Sequence, residues 1–525
     1  MVEDRSCIGC RVNCEGHRGT VKYVGTVGNT MGQWLGIDWD DPGRGKHSGT
    51  YEGVKYYEAW HPNSGSFIRP GKANFGVSCP EAIRIRYGLI DDELAGIDKD
   101  TIASIRKTLN APFVEMVGFQ KVNRKQSKFD QLEIICLQDQ CVSNAGEPSE
   151  LAQLCPRAKE LDLSHNLINS WRTVAEIGIQ LPELQHLNVS DNELPVPDEM
   201  NLYQNAFSNV SHLAMGRLKY NWLSVTRCLL AFPSIREIMA PFNMVESISE
   251  VEESSNIMKL TEISLENNFI SNWDEILKLG KIPGLLNLNV NSNRISSIRF
   301  PTKEPTDKTV LFPNLTQLHV SDNMIDNWQS VSELEKLEKL QDLKFRENPV
   351  LRNQSLETGI QLVIARITSL KYLNGTEISP LEKRGAEYDY LKLFALDWKN
   401  SEKDTQRRID FITHHPRFPS LVERYGVPDV SETMKTTQLS SNVITVEFIC
   451  PDDENIKPVK KKLLKNMDVQ KLAGIAQRLF RINGKIPTLS FVRPQVSEDE
   501  IPLDKPLQEL SYYLIDEGDL ILVRW

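Results

Sequence analysis

LQHLNVSDNEL, residues 184–194, sets Leu184, Leu187, Val189 and Leu194 at fixed steps around Asn192. The same template, L-x-x-L-x-L-x-x-N-x-L, returns as LTEISLENNFI at 260–270, LLNLNVNSNRI at 285–295, LTQLHVSDNMI at 315–325 and LQDLKFRENPV at 340–350. Weaker copies surround Leu137, Leu163, Met215 and Ala240, and two of these replace the asparagine, with Gln140 and Leu218. Asn166, Asn192, Asn243, Asn268, Asn293, Asn323 and Asn348 recur mostly 25 or 26 residues apart. A period of that size marks stacked repeats. Each apolar triplet turns one strand face into a shared core, and a buried asparagine bonds the backbone of the turn that follows.

No copy buries enough surface to stand alone, so nine copies are expected to stack into a curved solenoid of leucine-rich repeats. Such a fold supplies a surface rather than a reaction. Its concave strand positions carry Glu160, Asp162, Glu237, Glu262, Glu266 and Asp342 against His186, His212, His319, Lys344 and Arg346. These read either as solvated charges or as a mildly acidic docking surface for a folded protein. The segment from Ile378 to Lys399 is predicted to be helical, the polar-faced cap an open solenoid end requires.

Toward the N-terminus, GRGKHSGT at 43–50 looks like an anion-binding loop. A P-loop would read G-x-x-x-x-G-K-[ST]. Here Asp40 stands at the first glycine position and His47 follows Lys46, so the pattern fails. The neighbouring runs GTVKYVG, WLGIDW, VKYYEAW and GSFIRP, broken by Gly and Pro, predict a small antiparallel barrel. Tyr23, Trp34, Trp39, Tyr51, Tyr56, Tyr57, Trp60 and Phe67 are dense for so short a stretch. Some must build the small core. Others, beside Lys46, His47, Arg69 and Lys72, would form a groove with an apolar floor and a cationic rim. That chemistry suits an extended peptide ending in an aromatic residue and a carboxylate, with acidic neighbours.

GHRGTVKYVG (16–25), GQWLGIDWDDPGRGKHSG (32–49) and GSFIRPGKANFG (65–76) resemble the CAP-Gly family, which reads acidic, aromatic-ended tails of tubulin and of microtubule end-binding proteins. The resemblance implies that Lys46 and His47 grip the peptide terminus, that Tyr23 and Trp34 line the groove, and that Arg69 supplies rim charge. Ser48 stands where that family usually carries an acidic residue, a departure that bears on one hydrogen bond and on affinity. The residues expected to hold an α-tubulin tail are therefore Lys46, His47, Ser48, Tyr23, Trp34, Phe67 and Arg69. Cys7, Cys10, Cys14 and His17 have zinc-like spacing. Cys10 and Cys14 fall on the first barrel strand and its turn, so no metal is expected.

At the C-terminus, VITVEFIC (443–450) and KPVKKKLLK (457–465) predict a hairpin, followed by a helix over DVQKLAGIAQRLFRI with Asp468 as N-cap. Leu472, Ile475, Ala476 and Leu479 form its apolar stripe. Strands around LSFV and LILVRW follow, with the turn DEGD before the last. This order resembles the ubiquitin-like fold. The chain ends at Trp525 without Gly-Gly, which implies docking rather than conjugation. Lys460, Lys461, Lys462 and Lys465 read as a solvated strand face or a binding patch.

The expected architecture is a multidomain α+β chain of small β-barrel, leucine-rich repeat solenoid and ubiquitin-like β-grasp. Its segments are a CAP-Gly domain at 1–90, a connector at 91–128, repeats at 129–375, a cap and linker at 376–440 and the ubiquitin-like domain at 441–525. A net charge of −10 over 525 residues argues against a general nucleic-acid binder. No apolar run suits a signal peptide or a membrane span. Nine scattered cysteines suggest reduced thiols and a cytoplasmic, cytoskeleton-associated protein. Neither HExxH nor G-x-S-x-G occurs, and His414-His415 reads as an isolated loop pair, so no enzymatic activity and no cofactor is expected.

Three such modules in this order resemble the tubulin-folding cofactor E family, as does the stretch FVEMVGFQKVNRKQSKFDQLE at 113–133. That resemblance implies a chaperone for α-tubulin. It would work with cofactors D and C, with cofactor B and the proteasome as further contacts, to assemble or take apart the α/β heterodimer. The alternative is a microtubule-associated CAP-Gly adaptor. Such adaptors usually carry coiled coils, and no sustained heptads occur here.

Overall fold

Each apolar triplet of the repeat becomes a three-residue strand. Ile134–Cys136, Glu160–Asp162, His186–Asn188, His212–Ala214, Glu237–Met239, Glu262–Ser264, Asn287–Asn289, Gln317–His319 and Asp342–Lys344 lie side by side in parallel register. Tyr372–Leu373 and antiparallel Thr376–Glu377 complete an eleven-stranded sheet. The computed structural model describes residues 7–89, 126–251, 255–352, 354–426 and 443–525, the last segment apart from 454–455, 466, 481, 483–486, 494–496, 507 and 514. Most of the expected connector at 91–128 lies outside the described residues.

The central residue of each repeat strand is buried in one continuous core, from Ile135 and Leu161 to Leu318 and Leu343. The repeat asparagines are buried too, and Asn268 shows why. Its amide donates to the carbonyls of Ala240 and Leu265 at 3.1 and 3.0 Å, while its Oδ1 accepts from the backbone of Val245 at 3.0 Å. With a further bond to the Glu266 carbonyl at 3.2 Å, one side chain thus pairs four backbone groups. Most repeats then turn into a short helix capped by Asn or Ser, as where Asn221 accepts from Ser224 ahead of Trp222–Cys228.

The chain divides into two compact units, one through Ala386 together with Ile412–Arg417, the other Glu387–Phe411 with Phe418–Trp525. In the first unit the barrel sheet runs in the order Arg11–Cys14, His17–Gly25, Trp34–Trp39, Gly65–Ile68. Val12, Val21, Val24, Leu35, Ile37 and Trp39 fill its core. The run VKYYEAW does not join this sheet: only Val54–Lys55 is strand, paired with Thr50–Tyr51.

The barrel is docked on the first repeat. Val77–Ser78 pairs in parallel with Val142–Asn144, and helix Cys79–Tyr87 follows. The Tyr87 hydroxyl accepts from the backbone N–H of Cys136 at 2.8 Å. Arg18 forms an ion pair with Asp139, which His165 Nδ1 meets at 3.1 Å. Burial works against the Asp139 charge, yet hydrogen bonds from Arg18 and His165 hold its carboxyl below the usual range.

In the second unit Tyr390, Phe394, Trp398, Phe411 and Phe418 make an aromatic cluster. The expected cap helix runs Pro380–Ser401. Helix Thr405–His414 ends at His414, so that residue belongs to a helix end rather than to a loop, because the turn is completed before Pro416. The C-terminal sheet has the order Val459–Leu464, Val443–Ile449, Leu520–Arg524, Thr488–Arg493, Ser497–Pro502, with a parallel central pair. Asp468 caps helix Val469–Leu479 by accepting from Lys471 at 2.7 Å. Leu472 and Ala476 of that helix pack on Phe448, Phe491 and Ile521. Lys460, Lys461 and Lys462 are exposed on an edge strand, where charge discourages pairing with another chain. Among the described residues no helix is long and apolar enough to cross a membrane.

Candidate functional site

The barrel carries a groove of about 420 Å³ lined by Val27, Thr30, Trp34, Arg44, Lys46, His47, Tyr51, Ser66, Phe67 and Ile68. One wall is the loop that contains Lys46 and His47. It is tied to the strand Gly65–Ile68: Lys46 donates to the carbonyl of Gly65 at 2.7 Å, and Gly65 donates to that of His47 at 2.7 Å. Two glycines make this approach possible. A Cβ on Gly45 would sit 2.0 Å from the Asn63 carbonyl oxygen, and Gly49, at φ +99°, would place one 2.3 Å from the Tyr57 carbonyl oxygen.

His47 is fixed in one role. Its Nδ1 accepts from the backbone N–H of Gly49 at 3.0 Å, so the proton of the neutral ring lies on Nε2. Its ring lies 4.9 Å from that of Phe67. Burial lowers its pKa, so it acts near neutral pH as an uncharged donor rather than a cation. Lys46 is exposed and makes no ion pair among the described residues.

Phe67 is the floor. Tyr23, Tyr56 and Tyr57 meet it edge-on with centroids 6.2, 5.4 and 5.6 Å away. The Tyr57 hydroxyl is buried between the carbonyls of Ile37 and Ser66, at 3.0 and 3.1 Å. Tyr23 spends its hydroxyl on the carbonyl of Thr26 at 2.7 Å. It buttresses the floor and is not among the lining residues.

The opposite wall is the loop Val27–Trp34. The Trp34 indole donates to Thr30 Oγ1 at 2.7 Å, and Thr30 donates to the Val27 carbonyl at 2.5 Å. Arg69 lies flat over Trp34, 3.7 Å from the ring centroid, and its Nη1 donates to the carbonyls of Met31 and Gln33 at 2.8 and 3.3 Å. It shapes the wall while keeping its charge, since its acceptors are neutral and the residue is exposed. Ser48 is exposed outside the lining and gives its carbonyl to Ala59. Of the expected set, Lys46, His47, Trp34 and Phe67 line one groove, Tyr23 and Arg69 support it, and Ser48 stands apart. Thr30, from the opposite loop, and Arg44, two positions before Lys46 in the same loop, line the groove without having been among the expected residues.

The concave face of the solenoid shows its expected residues in register. Glu160, His186, His212, Glu237 and Glu262 occupy one row across successive strands. The rings of His186 and His212 stack 3.8 Å apart, and His212 Nε2 reaches Glu237 at 3.0 Å. Burial, with Glu237 beside it, raises the Glu262 carboxyl. Among the described residues no group of three or more His, Cys, Asp or Glu could hold a metal ion, and Cys14 is buried in the barrel core.

The model of the CAP-Gly domain matches residues 8–73. The tubulin-specific chaperone E of Xenopus laevis is 38% identical over 525 residues, covering 98% of each chain. That of Homo sapiens is 35% identical over 526 residues, covering 99% of this chain and 98% of its own. The solved C-terminal ubiquitin-like domain of mouse tubulin-specific chaperone e is 30% identical over 17% of this chain and 93% of its own, with a TM-score of 0.16.

Proposed function

Because this chain belongs to the tubulin-specific chaperone E family, we propose that it is a non-catalytic tubulin-folding chaperone whose barrel groove captures the acidic, aromatic-ended tail of α-tubulin. The observation that carries the reading is the pairing of exposed Lys46 with the uncharged donor His47 above the Phe67 floor. An aromatic side chain stacks on the floor, and a terminal carboxylate meets the ammonium and the Nε2 proton.

The folded body of α-tubulin is held by the solenoid. Because the barrel is docked on the first repeat through Arg18–Asp139 and Val77–Val142, the two contacts are presented together. Two modest contacts on one body then give firm but reversible binding. Assembly or dissociation of the heterodimer proceeds with cofactors D and C, and the ubiquitin-like domain serves as a docking module toward cofactor B or the proteasome.

The test is binding of full-length protein to α-tubulin by the wild type and by Lys46→Ala. A loss of affinity in the variant supports tail capture; equal affinity refutes it. Incubation with microtubules separates chaperone from adaptor: loss of polymer fits the chaperone, and co-sedimentation with intact polymer contradicts it.

A further inference from the structure

The groove holds less positive charge than its sequence suggests. His47 is uncharged near neutral pH, and Arg69 and Lys72 lie outside the lining, Arg69 keeping its charge but held by two carbonyls and the face of Trp34. One further cation does line it, Arg44. Its guanidinium lies over the ring of the fully buried Trp39, 5.1 Å from the centroid. The side chain is 27% exposed, and its carboxylate neighbour Glu15 is 3.7 Å away and 69% exposed. That separation is too long for a hydrogen bond, so the guanidinium donors are not consumed there. Contact with an indole face restrains the guanidinium without using its N–H groups.

Resting on the tail-capture reading, we propose that Arg44 is the second cation of the groove and the residue that reads acidity upstream of the ligand's terminus. Lys46, a compact charge on a flexible stem, takes the terminal carboxylate. Arg44, a planar fork, takes a glutamate side chain one or two residues earlier in the peptide. The order fits. Arg44 ends the turn closed by its N–H on the Asp41 carbonyl at 3.1 Å, two positions before Lys46, and both side chains line the one groove, so a peptide whose terminus sits at Lys46 has its preceding residues within the same groove as Arg44.

The experiment is calorimetric titration of the full-length chain with two synthetic peptides bearing free C-terminal carboxylates, one ending Glu-Glu-Tyr and one ending Gln-Gln-Tyr. The wild type binds the glutamate peptide about fivefold or more tightly than its glutamine counterpart, the scale of one partly exposed charge pair. Arg44→Gln erases that preference, weakening the glutamate peptide more than the glutamine one, while an unchanged thermal melt shows the fold intact. Arg44→Lys keeps part of the preference. Persistence of the full preference in Arg44→Gln, or equal weakening toward both peptides in Arg44→Gln and Arg44→Lys alike, overturns the assignment. Equal binding of the two peptides by the wild type overturns it as well and leaves tail capture standing. Binding of neither peptide by the wild type defeats tail capture and this assignment together.

Discussion

The hydroxyl of Tyr220 accepts a hydrogen bond from the indole Nε1 of Trp171 at 2.9 Å and donates to the carbonyl of Leu194, inside the solenoid. It stands where the asparagine ladder is interrupted. In the neighbouring repeats a side-chain amide holds the backbone two residues past the ladder position, as Asn268 holds Val245. Leu218 has no amide to offer Leu194, and the phenol anchors that residue by its carbonyl instead.

Tyr220→Phe therefore leaves an indole N–H and a carbonyl buried without partners. Each such group costs about 1–3 kcal/mol, so the solenoid is expected to lose about 2–6 kcal/mol in urea denaturation. A change within about 0.5 kcal/mol, the range of inert surface substitutions, would show that the phenol contributes nothing.

Gly45→Ala tests the groove wall without removing a single contact group. Its Cβ would meet the Asn63 oxygen at 2.0 Å, so the loop carrying Lys46 and His47 must lift from Gly65. Peptide affinity falls at least about tenfold, or 1.4 kcal/mol, while the melting of the solenoid is unchanged. Wild-type affinity in this variant would mean that the loop's contact with the sheet is irrelevant to binding.

Asp139→Asn loosens the barrel from the first repeat. Arg18 is nearly buried, but the Asp139 side chain is 57% exposed, so the discounted cost is only about 1 kcal/mol. Amide exchange is expected to quicken at Val77, whose N–H bonds Cys141, and not at the distant Leu318. Because the folded carboxyl is held below its usual range, this contribution is present above about pH 4 and fades as the pH falls below it. Unchanged exchange at Val77 would contradict the docking role.

His415 supplies a second pH dependence. Burial, with Arg366 and His414 near it, pushes its pKa down to about 3. The unfolded chain takes up this proton from about pH 6.5 downward while the folded chain refuses it, so stability is full above that pH and declines toward pH 3. His415→Asn flattens the decline between those limits in pH-dependent thermal melts. An unchanged slope would place the dependence elsewhere.

The repeat was legible because its period survives in the sequence: strands, buried asparagines and capping residues recur at fixed offsets. Asp468 likewise announced its helix by local chemistry alone. The glycines at 45 and 49 were legible as positions needing bare backbone, and a Cβ at either would meet a neighbouring carbonyl oxygen within 2.3 Å. What could not be read was long-range. Arg18 meets Asp139 across 121 residues of chain, and no local pattern links them. The strand Ser497–Pro502 was missed because SEDEIP carries three acids and a proline, unlike a typical strand. The part Arg69 plays in holding the Met31–Gln33 loop was illegible because its partners are backbone carbonyls, which leave no mark in composition.

The most direct measurement is titration of the full-length chain with the α-tubulin C-terminal peptide, with and without its final aromatic residue. The account predicts binding that is lost both on removal of that residue and in Lys46→Ala. Equal binding of the two peptides, or none at all, would contradict tail capture by the Lys46–His47 groove.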